Sequence, residues 1–476
     1  MERPYDIVVP HRPRPRTNLI AMIHVHSTTA LLQHTHMSRL GIVPPSGDET
    51  RALNALVVEL ESVYADALQA LPLVRSVVSG TGCGVVPLRS IVFLLAVRAS
   101  SHRGAPPQQA GGATSDTARW CDGASWVVKA CLDRFASLPF VKALVDRAVR
   151  EASIYVQHGI FNVEVENVAA PYFTGIGSCP WEELLCVHTV CQALRQTFPF
   201  LSLGAHVLSC NETEALPIAI ACGAYFVRSE ASLFKGLRPE GTTDNRSNLA
   251  RFMYLRRVLR DLVMEGIDVG IHRVATAATP LLATTSPDLE MLARLRGNCF
   301  VTDKEQERPA SVLFPQLWSD IQKKHTVFPE ELLTIGTWLH NASFCKLEGI
   351  IVTGLETGMP ASAEDLAAAR EEVDRARHMA RTSLAADGAG APVGTADRLL
   401  PPWYVELPLV TGSGSTFEVY CRYVDYMIVG SSFKTNGYWE NPVDAALVAQ
   451  TVRRVTDLQS SIAERREQED GNFVPQ

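Results

Sequence analysis

The chain has 476 residues, 46% hydrophobic and 20% charged, enough to bury a large core and outside the range of disordered or fibrous chains. Its net charge of −7 gives no general attraction to nucleic acid or anionic lipid, so neither partner is expected. The 11 cysteines form an odd set without a CxxC pair, which points to free thiols in a reducing compartment rather than a disulfide framework.

Residues 1–17 read as an N-terminal extension. It carries Arg3, Arg12, Arg14 and Arg16, but Glu2, Asp6 and several prolines spoil an amphipathic transit helix, so the cytoplasm is expected, with the mitochondrion as the alternative. The most apolar run, "SIVFLLAV" from Ser90 to Val97, is too short to cross a bilayer, and no integral membrane association is expected.

Short apolar runs then recur along the chain: "NLIAMIHVH" at Asn18, "IFNVEVEN" at Ile160, "LSLGAHVLSCN" at Leu201 and "AYFVRSE" at Ala224. Four more are "VLFPQLWSDIQKKH" at Val312, "EGIIVTGLETG" at Glu348, and the two within "ELPLVTGSGSTFEVYCRYVDYMIVGSSFK". Most alternate with helical patterns such as "WEELLCVHTVCQAL" and "PVDAALVAQTVRRV". Eight strands alternating with helices imply an α/β chain folded as a (β/α)8 TIM barrel, with an open doubly wound sheet as the rival. A plain barrel needs only ~250 residues, so insertions are expected at approximately 27–145, 264–309 and 376–400. Within them, Ala99–Ala118 and Thr382–Ala396 read as flexible loops, and 456–476 reads as a polar tail.

Nearly every run ends in a polar or small residue at its C-terminal side, where barrel enzymes place their chemistry. After the seventh and eighth strands stand Gly412, Ser413 and Gly414, then Gly430, Ser431 and Ser432, with Lys434 beyond; glycine amides and small hydroxyls there suit a phosphate. Thr353 and Gly354 end the sixth strand and supply further donors. Asp320, Lys324 and His325 close the fifth, a carboxylate, an amine and an imidazole suited to polarising or moving protons on a sugar-like substrate. Alternation turns Glu164 and Glu166 to one side, where Glu166 and Asn167 end the second strand; general-base work and plain pairing with Arg228 weigh about equally. His24 and His206 close the first and third strands and are read as ligand contacts. The HxH of His24 and His26 lacks the aspartate after strand eight that a metallohydrolase barrel needs. A set of His24, Glu166, His206 and Asp320 stays geometrically open to a metal, but substrate contacts and polar core are favoured and no metal is assigned. Cys186, His188 and Cys191 lie in a helical pattern without a second ligand pair and read as buried groups. Asn441 and Pro442 read as the cap and first residue of the last helix.

The blocks "GIFNVEVEN", "GAHVLSCNETEALPIAIACGAYFVRSE", "SDIQKKH", "IIVTGLETGMPASAEDL" and "YMIVGSSFKTNGYWENPVD" resemble, in order, those of the BtpA/SgcQ family, from about Asn18 to Val455. That family is similar to ribulose-phosphate-binding barrels, and the resemblance implies one barrel with a phosphate-type site at its mouth. Its founding member is linked to photosystem I accumulation, and its catalytic activity is not defined. Asp320, Lys324 and His325 match the family's D-x-x-x-K-H block; the Pro-rich block after the first strand is rebuilt, the Asp expected in "ENVAAPYF" is missing, and Glu230 stands for the family's Asn. Two functions follow as expectations. One is a barrel binding a small phosphorylated molecule, with isomerase, lyase or glycosidic-bond chemistry run by Asp320 or Glu166 as base and Lys324 or His325 as electrophile or acid. The other is an assembly factor that uses the barrel as a scaffold. The sequence names no cofactor and is compatible with a homo-oligomer.

Overall fold

Alternation along each apolar run decides which side chains enter the barrel and which meet the helices. The computed structural model describes residues 19–26, 45–70, 92–93, 95, 116–168, 179–208, 211–230, 233–234, 236–238, 241–242, 249, 252–256, 315–321, 334–345, 347–354, 359–387, 408–412 and 414–471. Eight parallel strands close into a barrel. They are β1 (Leu19–His26), β2 (Asn162–Val168), β3 (Ser202–His206), β4 (Phe226–Ser229), β5 (Gln316–Asp320), β6 (Gly349–Val352), β7 (Leu409–Thr411) and β8 (Tyr426–Val429). Each pairs with the next in the chain, and β8 returns to β1 with Met427 opposite Leu19 and Val429 opposite Ala21. The chain is a (β/α)8 barrel, and closure excludes the open sheet.

The helices are α1 (Gly47–Ala70), α2 (Asp116–Ser137), α3 (Pro139–Gln157), α4 (Trp181–Thr197), α5 (Glu212–Ala221), α6 (Ile335–Phe344), α7 (Ala363–Asp387), α8 (Phe417–Tyr423) and α9 (Ala445–Gly471). The insertion between β1 and β2 is therefore partly helical. α1 starts in a capping box, Ser46 N donating to Glu49 Oε2 (2.8 Å) and Glu49 N to Ser46 Oγ (3.2 Å). It buries Leu53, Leu56, Leu60 and Val63 at helical spacing and packs on α2.

Three expectations change. The segment read as a polar tail from 456 continues α9 to Gly471, because Val448, Val452 and Val455 hold that helix against the core. Thr382–Asp387 extend α7 rather than forming a loop, while 388–396, most of Ala99–Ala118 and 264–309 lie outside the described residues. Asn441 does not cap α9: its Nδ2 donates to the Thr435 carbonyl (2.7 Å), and Asp444 Oδ1 accepts from Ala446 N (2.8 Å) in the capping role.

On β1, Leu19, Ala21, Ile23 and Val25 pack outward with the helices, whereas Ile20 and Met22 join Phe226, Trp318, Ile351, Val410 and Ile428 in a separate cluster inside the barrel. Phe226 and Trp318 stack there with ring centroids 4.1 Å apart and planes 7° from parallel. Their neighbours across the sheet are glycines, Gly204 opposite Phe226 and Gly349 opposite Trp318. A Cβ at Gly204 would lie 2.1 Å from the Phe226 ring, and one at Gly349 would lie 2.3 Å from the Trp318 ring. Two strand glycines are thus the space that two large rings occupy.

At the N-terminal rim, Glu348 accepts from Leu317 N (2.8 Å) and binds Arg256 Nη1 through both oxygens (2.9 and 2.8 Å). Asp425 does the same ahead of β8, accepting from Leu409 N (2.8 Å) and Arg370 Nη1 (3.1 and 3.2 Å). Among the described residues no helix is long and apolar enough to cross a membrane.

Candidate functional site

The inward face of each strand continues past the aromatic layer to one residue at the C-terminal mouth. Following the alternation from the inner cluster, these are His24, Glu166, His206, Arg228, Asp320, Thr353, Gly412 and Gly430, in strand order β1 to β8, with Glu164 one step below Glu166. The mouth is therefore two-sided. β2 to β5 supply charge, and β6 to β8 supply a threonine and two glycines.

On the charged side, Arg228 clamps Asp320 through Nε and Nη2, each 3.0 Å from a carboxylate oxygen, and donates from Nη1 to Glu164 Oε1 (3.1 Å). This bidentate pair is a strong, planar arrangement. Asp320 is consequently not a free general base: both of its oxygens hold the guanidinium, and its role is to fix Arg228. His206 Nδ1 sits 2.6 Å from Glu166 Oε2 and 3.3 Å from Glu164 Oε1. The pairing with Arg228 weighed against general-base work thus falls mainly on Glu164, while Glu166 binds His206 and lies 4.0 Å from Arg228 Nη1.

Electrostatics separates these groups. Burial favours a neutral Glu164, but Arg228 and His206 outweigh it and bring the carboxyl down to about 2. Burial likewise favours a neutral His206, yet Glu166 and Glu164 raise its imidazole to about 10. Burial pushes the Asp320 carboxyl up against the pull of Arg228. It also lowers His24, whose Nδ1 is buried without a hydrogen-bond partner and whose ring centroid lies 6.0 Å from that of Trp439.

Two acidic residues take a place at the mouth that the sequence did not assign them. Glu212 opens α5, is 1% exposed, and neither carboxylate oxygen has a partner; burial pushes it up to about 8, with the charge of Glu230 adding to the rise. Glu230, also buried, follows β4. The signal available was position, since the residues between a strand's end and the next helix line a barrel's mouth. Among the described residues, the mouth holds five buried carboxylates (Glu164, Glu166, Glu212, Glu230, Asp320) against Arg228 and His206.

On the opposite side, a Cβ at Gly412 would come 3.0 Å from Thr353 Cγ2, and one at Gly430 would come 3.1 Å from Met22 Sδ. Gly414 has φ +101°, which demands glycine for the backbone itself. Ser431–Phe433 form a short 3-10 turn directly after β8, with Ser432 exposed.

Three expected ligand contacts are reassigned. Asn167 faces outward: its Nδ2 donates to Glu183 Oε2 and its Oδ1 accepts from Leu208 N, both at 2.7 Å, tying β2 to α4 and to the chain after β3. Gly354 is a packing glycine, because a Cβ there would meet the Met359 carbonyl oxygen at 2.2 Å. Lys434 is fully buried, its Nζ bound to Glu151 on α3 at 2.7 Å, so it is not a cation reaching for phosphate; burial depresses the amine while Glu151 holds it up. Lys324, His325 and Ser413 lie outside the described residues. Cys186 and Cys191 are buried free thiols on α4, and His188 packs on Phe93 at 5.0 Å between ring centroids.

Fold and mouth together define a (β/α)8-barrel protein whose polar groups converge at the C-terminal face. No protein-family model matches the chain. Over 324 residues it is 21% identical to a Caenorhabditis elegans protein named "Uncharacterized protein F13E9.13, mitochondrial", a stretch covering 67% of this chain and 86% of that protein.

Proposed function

We propose that this barrel, a relative of the BtpA/SgcQ family by its sequence blocks, binds a small phosphorylated molecule of the sugar-phosphate or nucleotide type at its mouth and moves protons on it. One observation carries the reading. Buried polar atoms without a protein partner collect there: His24 Nδ1, Glu164 Oε2, His206 Nε2 and both oxygens of Glu212. Each such atom costs about 1–3 kcal/mol, so a concentration of them belongs where a ligand supplies the missing partners.

The phosphoryl group fits the ends of β7 and β8, where Gly412 and Gly430 face inward, Ser431 and Ser432 offer hydroxyls, and barrels of this architecture frequently bind phosphate. The rest of the ligand then faces a neutral carboxylic acid, Glu212, and a neutral imidazole, His24. Their environments hold them in complementary protonation states, which suits an isomerase or lyase step. Arg228, fixed by Asp320, is the cation that meets developing negative charge. The cytoplasm remains the proposed location, with the mitochondrion beside it on the strength of the relative's name.

The test is thermal unfolding against a panel of sugar phosphates, nucleotides and free phosphate. A compound at ~100 times its dissociation constant adds about 2.7 kcal/mol if it binds the folded state alone. Ser432→Trp, at an exposed position, should remove the gain without the backbone strain that any substitution of Gly414 would bring. Stabilisation by no compound would sink the ligand reading and leave the assembly-factor alternative, with the α1–α2 pair as its contact surface.

A further inference from the structure

We propose that the mouth is also a metal site, in which Glu164, Glu166 and His206 bind one divalent first-row cation of the manganese or zinc kind. One ligand atom from each of the three residues lies within 4.8 Å of the other two, a spread that closes around a single ion as the side chains draw in. The fold produces this grouping directly: Glu166 and His206 are opposite each other in the β2–β3 register, and Glu164 is two residues back on the same inward face.

The hydrogen bonds single out these three residues. Glu164 is fully buried, and its Oε2 has no partner, while Oε1 is steadied by Arg228 at 3.1 Å. His206 Nδ1 sits between two carboxylates, 2.6 Å from Glu166 Oε2 and 3.3 Å from Glu164 Oε1; a cation entering here displaces the proton of that contact to solvent and parts the pair, leaving the nitrogen lone pair and the carboxylates as its ligands. Asp320, by contrast, is excluded from the set, because Arg228 already holds both its oxygens.

Charge supports the same conclusion. Four buried carboxylates (Glu164, Glu166, Glu230 and Asp320) face one arginine and one histidine among the described residues, and a divalent ion offsets the excess. One imidazole and two carboxylates suit manganese, iron or zinc, and three protein donors leave positions open for water or a ligand oxygen. The inference goes beyond the phosphorylated-ligand reading, and it accounts for how an anionic molecule is accepted by an acidic mouth.

The experiment is a titration of the chelator-stripped full chain with MnCl2, following loss of the free Mn2+ electron paramagnetic resonance signal, then displacement by ZnCl2. One equivalent should bind, zinc should displace it, and pulsed spectra should show coupling to a single imidazole nitrogen. Glu166→Gln, at the least buried of the three ligands, should weaken binding by about 100-fold or more, since losing even an outer-shell partner costs 10–100-fold. No binding, binding without nitrogen coupling, or unchanged binding in a folded Glu166→Gln protein would each overturn the proposal. Should that variant fail to fold, the wild-type nitrogen coupling decides. No phosphorylated compound is present in the titration, so its failure and a failure of the ligand panel are separate results.

Discussion

The two rims of the barrel use their carboxylates in opposite ways. At the N-terminal rim, both oxygens of Glu348 and both of Asp425 are spent on an arginine and a strand amide. At the C-terminal rim, Glu164 leaves one oxygen without a partner and Glu212 leaves two. The contrast separates two kinds of acid: one fastens strands, and the other keeps hydrogen-bonding capacity in reserve at a cost in stability. Conversely, a substitution at the first rim should unfold the protein, and one at the second should spare or even stabilise it.

The largest effect is expected at the fastening rim. Arg256→Met leaves Glu348 buried without its countercharge, and breaking such a pair by removing one partner costs about 3–5 kcal/mol. Urea unfolding reads this, and adding Glu348→Gln should recover much of the loss because the amide oxygen still accepts from Leu317 N. A cost below about 1 kcal/mol for Arg256→Met would remove the distinction between the rims.

Next comes the aromatic layer that lies between them. Gly204→Ala and Gly349→Ala each drive a methyl into a ring, at 2.1 and 2.3 Å, and should cost about 2–3 kcal/mol, near the upper end for overpacking. Pairing Gly204→Ala with Phe226→Leu should cost less than the two changes summed, since the second makes room for the first. Strict additivity would mean that the glycine serves some purpose other than admitting the ring.

These same elements show what the sequence could and could not convey. The eight apolar runs and their polar C-terminal ends were readable because strand alternation and the barrel's polarity are local regularities, and they place His24, Glu166, His206 and Asp320 at one mouth correctly. What was not readable is partnership, while direction was readable and ran against the ligand role expected of Asn167. Asn167 is one residue beyond Glu166 and so points the other way, to Glu183. Lys434 is a charged residue in a glycine-rich block, yet its partner, Glu151, is 283 positions away in the chain. Glu212 in "SCNETEAL" looks like an ordinary acidic helix start, which favours the helix dipole, and only tertiary burial makes it a neutral acid.

A lone imidazole away from both rims sharpens the comparison. His188 on α4 is buried against Phe93 with Nδ1 unpartnered, and burial lowers its pKa from 6.5 to about 4. The unfolded chain therefore binds the proton first, so stability is complete above pH 6.5 and is lost as pH falls from 6.5 towards 4. Between pH 7 and 5 the loss attributable to this group is about 2 kcal/mol. His188→Leu should flatten that part of the wild-type pH profile. If it does not, the imidazole is solvated in solution, and an unpartnered nitrogen here says nothing about ligands.

The effect of the opposite sign belongs to the mouth. Glu212 has its carboxyl raised from 4.5 to about 8, so the folded state holds a proton that the unfolded chain releases. Stability is then full below pH 4.5 and declines as pH climbs towards 8. Glu212→Gln keeps the shape and cannot ionise; it should therefore be more stable than wild type, by about 1 kcal/mol at pH 5 and about 3 kcal/mol at pH 7, the linkage cost of the raised carboxyl. The advantage should shrink towards pH 5 and grow towards pH 8. A variant less stable than wild type at every pH would show that the Glu212 oxygens are satisfied in solution, and would move this residue from the mouth's reserve to the fastening kind found at the opposite rim.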